Sequence, residues 1–231
     1  MTPEPDSAVV FDMDDTLYLE RDYVRSGYCV VGVTLRQRSG RSDAFEEWLW
    51  ARFEAGQAGG AFDALDEHFG LGLSADDIAS LVEVYRGHVP AIAPLPGVVA
   101  LLKRLKNSGV KLGVLSDGYL PAQRNKLRAL GIGSLLDAVV LTEELGRDCW
   151  KPSPAGFERI AADLDVSHAH CTYVGDNLAK DFVAPNSLGW RTVRLILPGQ
   201  VHASRPVAAG GAPDVIAGSM DELAGVLSAR W

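Results

Sequence analysis

Three aspartates directly follow a short apolar run near the start of the chain. The run Val9–Phe11 is rich in β-branched and aromatic residues and predicts a buried strand, and Asp12, Asp14 and Asp15 come immediately after it. Ionised carboxylates crowded at the end of a buried strand repel one another unless a cation compensates their charge. If the strand continues, Asp12 and Asp14 share one face, which suits a nucleophile, an acid/base and a hard divalent cation. The simpler alternative is an Asp-rich turn in which Asp15 and Thr16 bond nearby backbone.

A second group of polar residues follows the predicted strand Val110–Leu115. The strand runs into Ser116-Asp117-Gly118, which offers a hydroxyl and a backbone that an anion can approach closely. Further along, Lys151 lies in a predicted loop and could supply a positive charge to a phosphoryl oxygen. An ordinary turn and an exposed loop lysine are the alternatives for these residues.

A third group follows the predicted strand Cys171–Val174, which ends in Gly175-Asp176-Asn177. Asp176 could coordinate a hard cation directly, and Asp181 is expected on the first turn of a helix from Ala179 to Leu188. The helix macrodipole alone would also favour a carboxylate at the position of Asp181. Because no Cys or His accompanies these carboxylates, they favour Mg²⁺ over Zn²⁺.

The elements that must position these residues fall into two regions. Apolar residues recur at helical spacing over residues 20–89, which predicts an inserted, all-helical cap. Residues 1–19 and 90–231 instead predict alternating strands and helices, and therefore an α/β domain with a doubly wound parallel sheet. Such sheets carry their sites at the carboxyl ends of the strands, so Asp12, Ser116 and Asp176 are expected to converge.

The helices and strands expected within these regions have the following approximate bounds. Helices are predicted at 23–38, 42–54, 61–69, 96–109, 122–130 and 179–188, with others starting near Ser74, Ser153 and Ser219. Besides those already named, strands are predicted at 137–141, 192–197 and 215–216.

Composition narrows the classes of function. The 231 residues are 47% hydrophobic and 23% charged, which is ordinary for a soluble globular protein. The formal net charge of −8 argues against nucleic acid or an anionic membrane as the main partner, but a small anionic substrate stays possible. Three widely spaced cysteines without a CxxC pair, and an acidic N-terminal segment unlike a signal peptide, predict a cytoplasmic protein. The sequence leaves the oligomeric state open.

Two further groups of residues resemble functional ones but have ordinary explanations. His168 and His170 could suggest a metal site, but a histidine pair on a loop without a cysteine partner is expected to be exposed. Trp48 is expected to pack inside the helical region, and Trp50 to be exposed.

The ordered set Asp12-x-Asp14-x-Thr16, Ser116, Lys151 and Gly175-Asp176 with Asp181 closely resembles the four motifs of the haloacid dehalogenase-like hydrolases. The resemblance implies that Asp12 is the phosphorylated nucleophile, that Asp14 is the general acid and then the base, and that magnesium is the cofactor. The residues that it implies for binding are these: Thr16, Ser116, Asp117, Gly118 and Lys151 for phosphate; Asp12, Asp14 (through its carbonyl) and Asp176 for the metal; and Asn177 and Asp181 in support of the metal.

The resemblance also implies a function. Residues 20–89 look like the cap of the phosphoglycolate phosphatase-like branch, which closes over the site and selects the substrate. An acid at Asp14 favours a phosphatase over a dehalogenase. We therefore expect a magnesium-dependent phosphomonoesterase that hydrolyses a small phosphorylated metabolite such as a sugar phosphate. The alternatives are a phosphomutase of the same superfamily, a phospho-acceptor signalling module and a non-catalytic binding protein.

Overall fold

A six-stranded parallel sheet forms the centre of the α/β unit in this computed structural model, which describes residues 7–228. The acidic N-terminal segment considered above lies, except for Ser7, outside the described residues. The strands are β1 (Ala8–Phe11), β2 (Lys111–Ser116), β3 (Ala138–Leu141), β4 (Cys171–Gly175), β5 (Arg191–Leu195) and β6 (Val215–Ala217). Their order is β3-β2-β1-β4-β5-β6, which places β1 between β2 and β4. The predicted doubly wound α/β sheet is confirmed.

Helices cover both faces of this sheet. They are α5 (Val98–Asn107), α6 (Leu120–Leu130), α7 (Ala155–Leu164), α8 (Val183–Ser187) and α9 (Met220–Ser228). The α7 face buries Val10, Leu115 and Tyr173 against Phe157 and Ile160 of the helix. Because side chains alternate along a strand, Val9 and Phe11 point to the opposite face, where α5 and α9 pack together.

The second compact unit, residues 22–92, contains only helices among its regular elements. They are α1 (Glu20–Ser39), α2 (Phe45–Glu54), α3 (Ala61–Phe69) and α4 (Ala75–Gly87). Its core combines aliphatic and aromatic side chains, with Tyr28, Phe45 and Phe62 buried beside Leu65 and Leu81. Trp48 and Trp50 are both partly buried against this core, so the expectation that Trp50 is exposed is wrong.

The chain leaves the α/β unit and returns to it through neighbouring segments. The backbone nitrogen of Leu95 donates a hydrogen bond to the carbonyl of Leu17 at 2.9 Å. The helical unit is therefore inserted between two segments that lie side by side in the α/β unit, whose contacts extend over residues 7–21 and 93–228.

The helix predicted from Ala179 is largely wrong, because α8 begins only at Val183. Pro185 lacks an amide hydrogen and so could not donate to the carbonyl of Asp181, as a longer helix would require. Residues 178–182 form turns instead, and the nitrogen of Asp181 donates to the carbonyl of Asn177 at 2.9 Å. Asp181 therefore precedes the helix rather than lying on its first turn.

The first strand also ends earlier than the pattern allowed. It stops at Phe11, so Asp12 and Asp14 lie beyond it and do not share the face of a continuous strand. Asp15 has a φ of 54°, a left-handed conformation that turns the chain. Its carboxylate secures this turn by accepting hydrogen bonds from the nitrogens of Glu20 (2.8 Å) and Val201 (2.6 Å).

Over residues 7–228, no helix combines the length and the apolar character that crossing a bilayer requires.

Candidate active site

The three groups of polar residues converge at the carboxyl ends of β2, β1 and β4. Ser116 is the last residue of β2, and Asp176 directly follows β4. The backbone nitrogen of Asp12 donates to the carbonyl of Val174 at 2.8 Å, which fixes Asp12 beside the end of β4. The sheet order thus brings together residues that are far apart in the sequence.

A buried lysine joins two of the carboxylates. Lys151 Nζ lies 2.7 Å from Asp12 Oδ1 and 2.8 Å from Asp181 Oδ1, and it donates to the hydroxyl of Tyr173 at 2.9 Å. The side chain of Lys151 is only 1% exposed, so water screens these contacts little. Burial alone would lower the pKa of Lys151, but Asp12 and Asp181 raise it well above its usual range. The lysine is therefore a fixed positive charge beside Asp12.

Asp12, Asp176 and Asp181 form a buried group of carboxylates that can hold a cation. One oxygen from each lies within 4.8 Å of the others, and Asp176 Oδ2 is buried and has no hydrogen-bond partner among residues 7–228. An all-oxygen donor set with an unsatisfied carboxylate oxygen fits Mg²⁺. The other oxygen of Asp181, Oδ2, accepts hydrogen bonds from the nitrogens of Asp176 (3.2 Å) and Asn177 (2.8 Å), which orients this loop.

The electrostatics of these carboxylates also favour a cation. Burial, followed by the charges of Asp181 and Asp12, raises the pKa of Asp176 to about 9. Burial raises the pKa of Asp12 to about 7, although Lys151 opposes this shift. One lysine therefore does not neutralise the group, and a divalent cation would keep these carboxylates ionised at neutral pH.

Gly175 is required by the close approach of Asp181. A Cβ atom at position 175 would lie 2.6 Å from Asp181 Oδ2, closer than real contacts allow. Glycine at the end of β4 thus leaves room for the carboxylate that Lys151 binds.

Asp14 is held by three donors, none of which the sequence pattern revealed. Its Oδ1 accepts hydrogen bonds from Lys126 Nζ at 2.7 Å and from the Tyr18 hydroxyl, and its Oδ2 accepts from Gln123 Nε2 at 3.0 Å. Burial alone would raise the pKa of Asp14, but the Lys126 charge and these hydrogen bonds hold it below its ordinary value. Asp14 is therefore a carboxylate in this arrangement.

Gln123 also connects Asp14 to the end of β2. Its Nε2 donates to Ser116 Oγ at 2.9 Å and to the carbonyl of Asp117. Gly118, with a φ of 136°, packs against the same amide, and a Cβ there would lie 2.8 Å from Gln123 Nε2. The hydroxyl of Thr16, another predicted phosphate ligand, is buried without a hydrogen-bond partner and so retains its donor.

The carboxylate of Asp117 is committed to contacts within the protein. Its Oδ1 accepts from Thr142 Oγ1 at 2.8 Å and from the backbone nitrogen of Lys151 at 3.1 Å, and its Oδ2 lies 3.0 Å from Lys180 Nζ. Burial would raise the pKa of Asp117, but Lys151 and Lys180 lower it. Any contribution of Asp117 to phosphate binding would therefore come from its backbone, while its side chain orients two lysines.

Sequence reasoning missed Gln123, Lys126 and Lys180, besides Tyr18. Gln123 and Lys126 are three residues apart on α6 and both are buried, which is unusual for polar side chains on one helix face. Their burial is visible only in the structure, so the sequence carried no signal for them. Lys180 was missed because the turn that directs it to Asp117 was predicted to be helical.

The histidine pair does not form a metal site with nearby carboxylates or thiols among the described residues. Both histidines are partly buried rather than exposed, and His168 Nδ1 accepts a hydrogen bond from Trp190 Nε1 at 2.7 Å. His168 thus satisfies a buried indole nitrogen.

The chain is similar to known proteins over most of its length. Residues 7–189 match the family model described as haloacid dehalogenase-like hydrolase. A glyceraldehyde 3-phosphate phosphatase from Methanopyrus kandleri is 32% identical over 195 residues, which cover 81% of this chain and 83% of the relative. A ribulose-1,5-bisphosphate 5-phosphatase from Halopiger xanaduensis is 26% identical over 204 residues, with coverage of 81% and 83%. A HAD family hydrolase structure from Deinococcus radiodurans, with bound phosphate and sodium, has a TM-score of 0.67, 21% identity and coverage of 97% and 96%.

Proposed function

The chain belongs to the haloacid dehalogenase-like hydrolases and is a phosphoric monoester hydrolase; from this premise, we propose that it is magnesium-dependent and acts through an aspartyl-phosphate on Asp12. The observation that carries the proposal is the group of three buried carboxylates, Asp12, Asp176 and Asp181. The buried Lys151 contacts two of them, Asp12 and Asp181. A small phosphorylated sugar is the proposed substrate, supported by the phosphatases named among the relatives.

Magnesium would be held by the carboxylates of Asp12 and Asp176 and by the carbonyl of Asp14, with Asn177 and Asp181 supporting the loop. When bound, it would neutralise negative charge on the phosphoryl oxygens and on Asp12. The unsatisfied Asp176 Oδ2 and the all-oxygen donor set support this assignment.

In the first step, a carboxylate oxygen of Asp12 bonds to phosphorus while the bond from phosphorus to the ester oxygen breaks. The departing alkoxide takes a proton from Asp14, and the negative charge of a bound phosphate ester would favour this protonated form over the carboxylate found without substrate. Lys151 stays bound to the carboxylate group of Asp12, and the Ser116 and Thr16 hydroxyls with the Gly118 backbone bind phosphoryl oxygens.

In the second step, water bonds to phosphorus and gives a proton to Asp14. The bond from phosphorus to Asp12 breaks, which restores the Asp12 carboxylate and releases inorganic phosphate. Asp14 thus ends the cycle protonated, as the next first step requires.

We include a cytoplasmic location in the proposal, supported by three widely spaced cysteines without a CxxC pair. A small-molecule phosphomonoester is the proposed partner, and the net charge of −8 supports the absence of nucleic acid and membrane partners.

The direct test is release of inorganic phosphate from a panel of phosphorylated sugars and other small phosphomonoesters. Each substrate is assayed with magnesium and again with excess chelator. We expect activity on at least one sugar phosphate that the chelator abolishes and that added magnesium restores. Full activity in chelator would contradict the metal assignment, and transfer of phosphate to a second sugar without net release would identify a mutase instead.

A further inference from the structure

The contacts of Asp14 point to a function for α6 in catalysis. Tyr18, Gln123 and Lys126, the three donors to its carboxylate, are all buried. Two of them come from α6 and the third from the turn after β1. Both oxygens of Asp14 are thereby directed at fixed partners, and the side chain of Asp14 is itself 19% exposed. It thus combines a fixed orientation with access to a substrate.

The three donors are not equivalent. Gln123 Nε2 carries two hydrogens but faces three acceptors: Asp14 Oδ2, Ser116 Oγ and the carbonyl of Asp117. Its hydrogen bond to Asp14 is therefore shared. The opposite amide orientation would place its carbonyl oxygen against the Asp14 carboxylate, which is repulsive, so the assignment of Nε2 is the favourable one. Gln123 alone does not anchor Asp14.

Lys126 is the charged anchor. Its Nζ lies 2.7 Å from Asp14 Oδ1, and the lysine side chain is 8% exposed, so the ion pair is little screened by water. Because α6 begins two residues after Gly118, Lys126 also links the position of Asp14 to the loop proposed to bind phosphate.

We propose that Lys126 is a positioning residue, which holds the Asp14 carboxylate in the direction from which it exchanges protons with the leaving oxygen and the attacking water. The inference rests on the proposed function, because it assigns Asp14 as the acid/base. Proton transfer requires the two oxygens within hydrogen-bond reach, so a misdirected carboxylate slows the reaction without weakening substrate binding.

The first experiment compares Lys126→Met with Arg124→Met. Arg124 is on the same helix and also forms an ion pair, with Glu144 at 2.7 Å, but both of these side chains are largely exposed. For an alkyl phosphate we expect Lys126→Met to lower kcat by about 10- to 100-fold with KM within about twofold. For an aryl phosphate, whose leaving group needs little protonation, the initial burst of phenol should keep its wild-type rate. Arg124→Met should match the wild type with both substrates.

Two further variants separate positioning from a loss of folding. Lys126→Arg keeps the charge on the helix and should recover part of the lost alkyl-phosphate activity. In an Asp14→Asn background, Lys126→Met should lower kcat no further, because a residue that acts through Asp14 has nothing left to position. Thermal unfolding of each variant shows whether a loss of stability explains its kinetics.

The outcomes distinguish the inference from the function on which it rests. Equal losses in kcat for the alkyl phosphate and in the burst rate for the aryl phosphate, or an additive loss in the Asp14→Asn background, would overturn the positioning role while leaving the phosphatase intact. A wild-type protein that releases no phosphate from any ester would overturn both. A leaving-group-dependent loss that Asp14→Asn masks would support the inference.

Discussion

The ion pairs that Lys151 forms at the strand ends of the α/β unit are buried, whereas the ion pairs of the helical unit lie near its surface. In the α/β unit, Lys151 and Asp181 are 1% and 0% exposed and contact each other at 2.8 Å. In the helical unit, Arg36 and Glu46 form a bidentate pair at 2.5 and 2.6 Å, yet they are 31% and 19% exposed.

Removing a charge from water costs free energy, and in this chain that cost falls at the strand ends of the α/β unit. A buried ion pair stabilises a fold little compared with apolar packing, so the fold alone does not require one at the strand ends. The helical unit shows the alternative, because its core consists of apolar and aromatic residues such as Phe45 and Leu65. The buried charges of the α/β unit are therefore best explained by chemistry.

The largest expected effect comes from removing the charge of the proposed nucleophile. Asp12→Asn keeps the shape of the side chain but removes the group that attacks phosphorus, so phosphate release should fall by at least about 10³-fold. Asp163→Asn, on the exposed part of α7, removes an acid paired with Arg159 and should leave turnover unchanged. More than a few per cent of wild-type activity in Asp12→Asn would exclude Asp12 as the nucleophile.

A second prediction compares one ion pair from each unit. Lys151→Met leaves Asp12 and Asp181 buried without their lysine, and it should lower the free energy of unfolding by about 3–5 kcal/mol. Arg36→Met should lower it much less, because water and salt screen the exposed pair. Urea unfolding of both variants in chelator measures the difference. Equal losses in the free energy of unfolding would show that the buried pair and the exposed pair contribute alike to stability.

A third prediction concerns metal and pH. Since the folded-state pKa values of Asp176 and Asp12 are raised to about 9 and 7, the unfolded chain releases these protons at a lower pH than the folded protein does. The metal-free protein should therefore lose stability as pH rises from about 4 towards 9. Magnesium at about one hundred times its Kd should add ~2.7 kcal/mol, or roughly 5–10 °C in Tm.

Thermal unfolding in chelator and in magnesium, at about pH 6 and about pH 8, checks this prediction, and the gain should be larger at the higher pH. Asp176→Asn is the matched control, because it keeps the shape of the side chain but removes a proposed ligand. A magnesium gain that is the same at both pH values, or unchanged in Asp176→Asn, would contradict the assignment of the metal ligands.

The smallest expected effects come from the helical unit. Arg52→Met and Trp50→Phe alter side chains that contribute no group to the proposed reaction, so kcat for an aryl phosphate should stay within about twofold. We expect the ratio of kcat/KM between two sugar phosphates to change by about two- to tenfold, as loss of uniform binding would produce. Arg159→Met, in the α/β unit, serves as the control. A change in kcat alone would contradict the expectation that the helical unit affects substrate preference and the α/β unit performs the reaction.

The sequence predicted the sheet and the residues at its carboxyl edge because both depend on local patterns. Apolar runs such as Val9–Phe11 identify parallel strands, and carboxylates directly after them are conspicuous. The resemblance to a known family grouped Lys151 with Asp12 and Asp181 in one site, and the structure shows that these side chains are in contact. Their catalytic roles stay predictions.

The contacts around Asp14 and Asp117 could not be read from the sequence in the same way. Lys126 is an ordinary helix-forming residue, and only the packing of α6 shows that it faces Asp14. Lys180 was hidden by the helix expected around it, which Pro185 prevents. Residues that orient a catalytic group depend on tertiary geometry more than the catalytic group itself does.

The hydrogen bond between Leu95 and Leu17 has a consequence for how this enzyme can evolve. A polypeptide inserted between two neighbouring segments closes a loop, and the entropy of closure rises only slowly with the length of the loop. Recombination that exchanges residues 22–92 for another helical segment therefore leaves the six-stranded sheet a continuous folding unit. If residues 22–92 select the substrate, such an exchange would alter substrate preference and leave the catalytic residues at the strand ends unchanged.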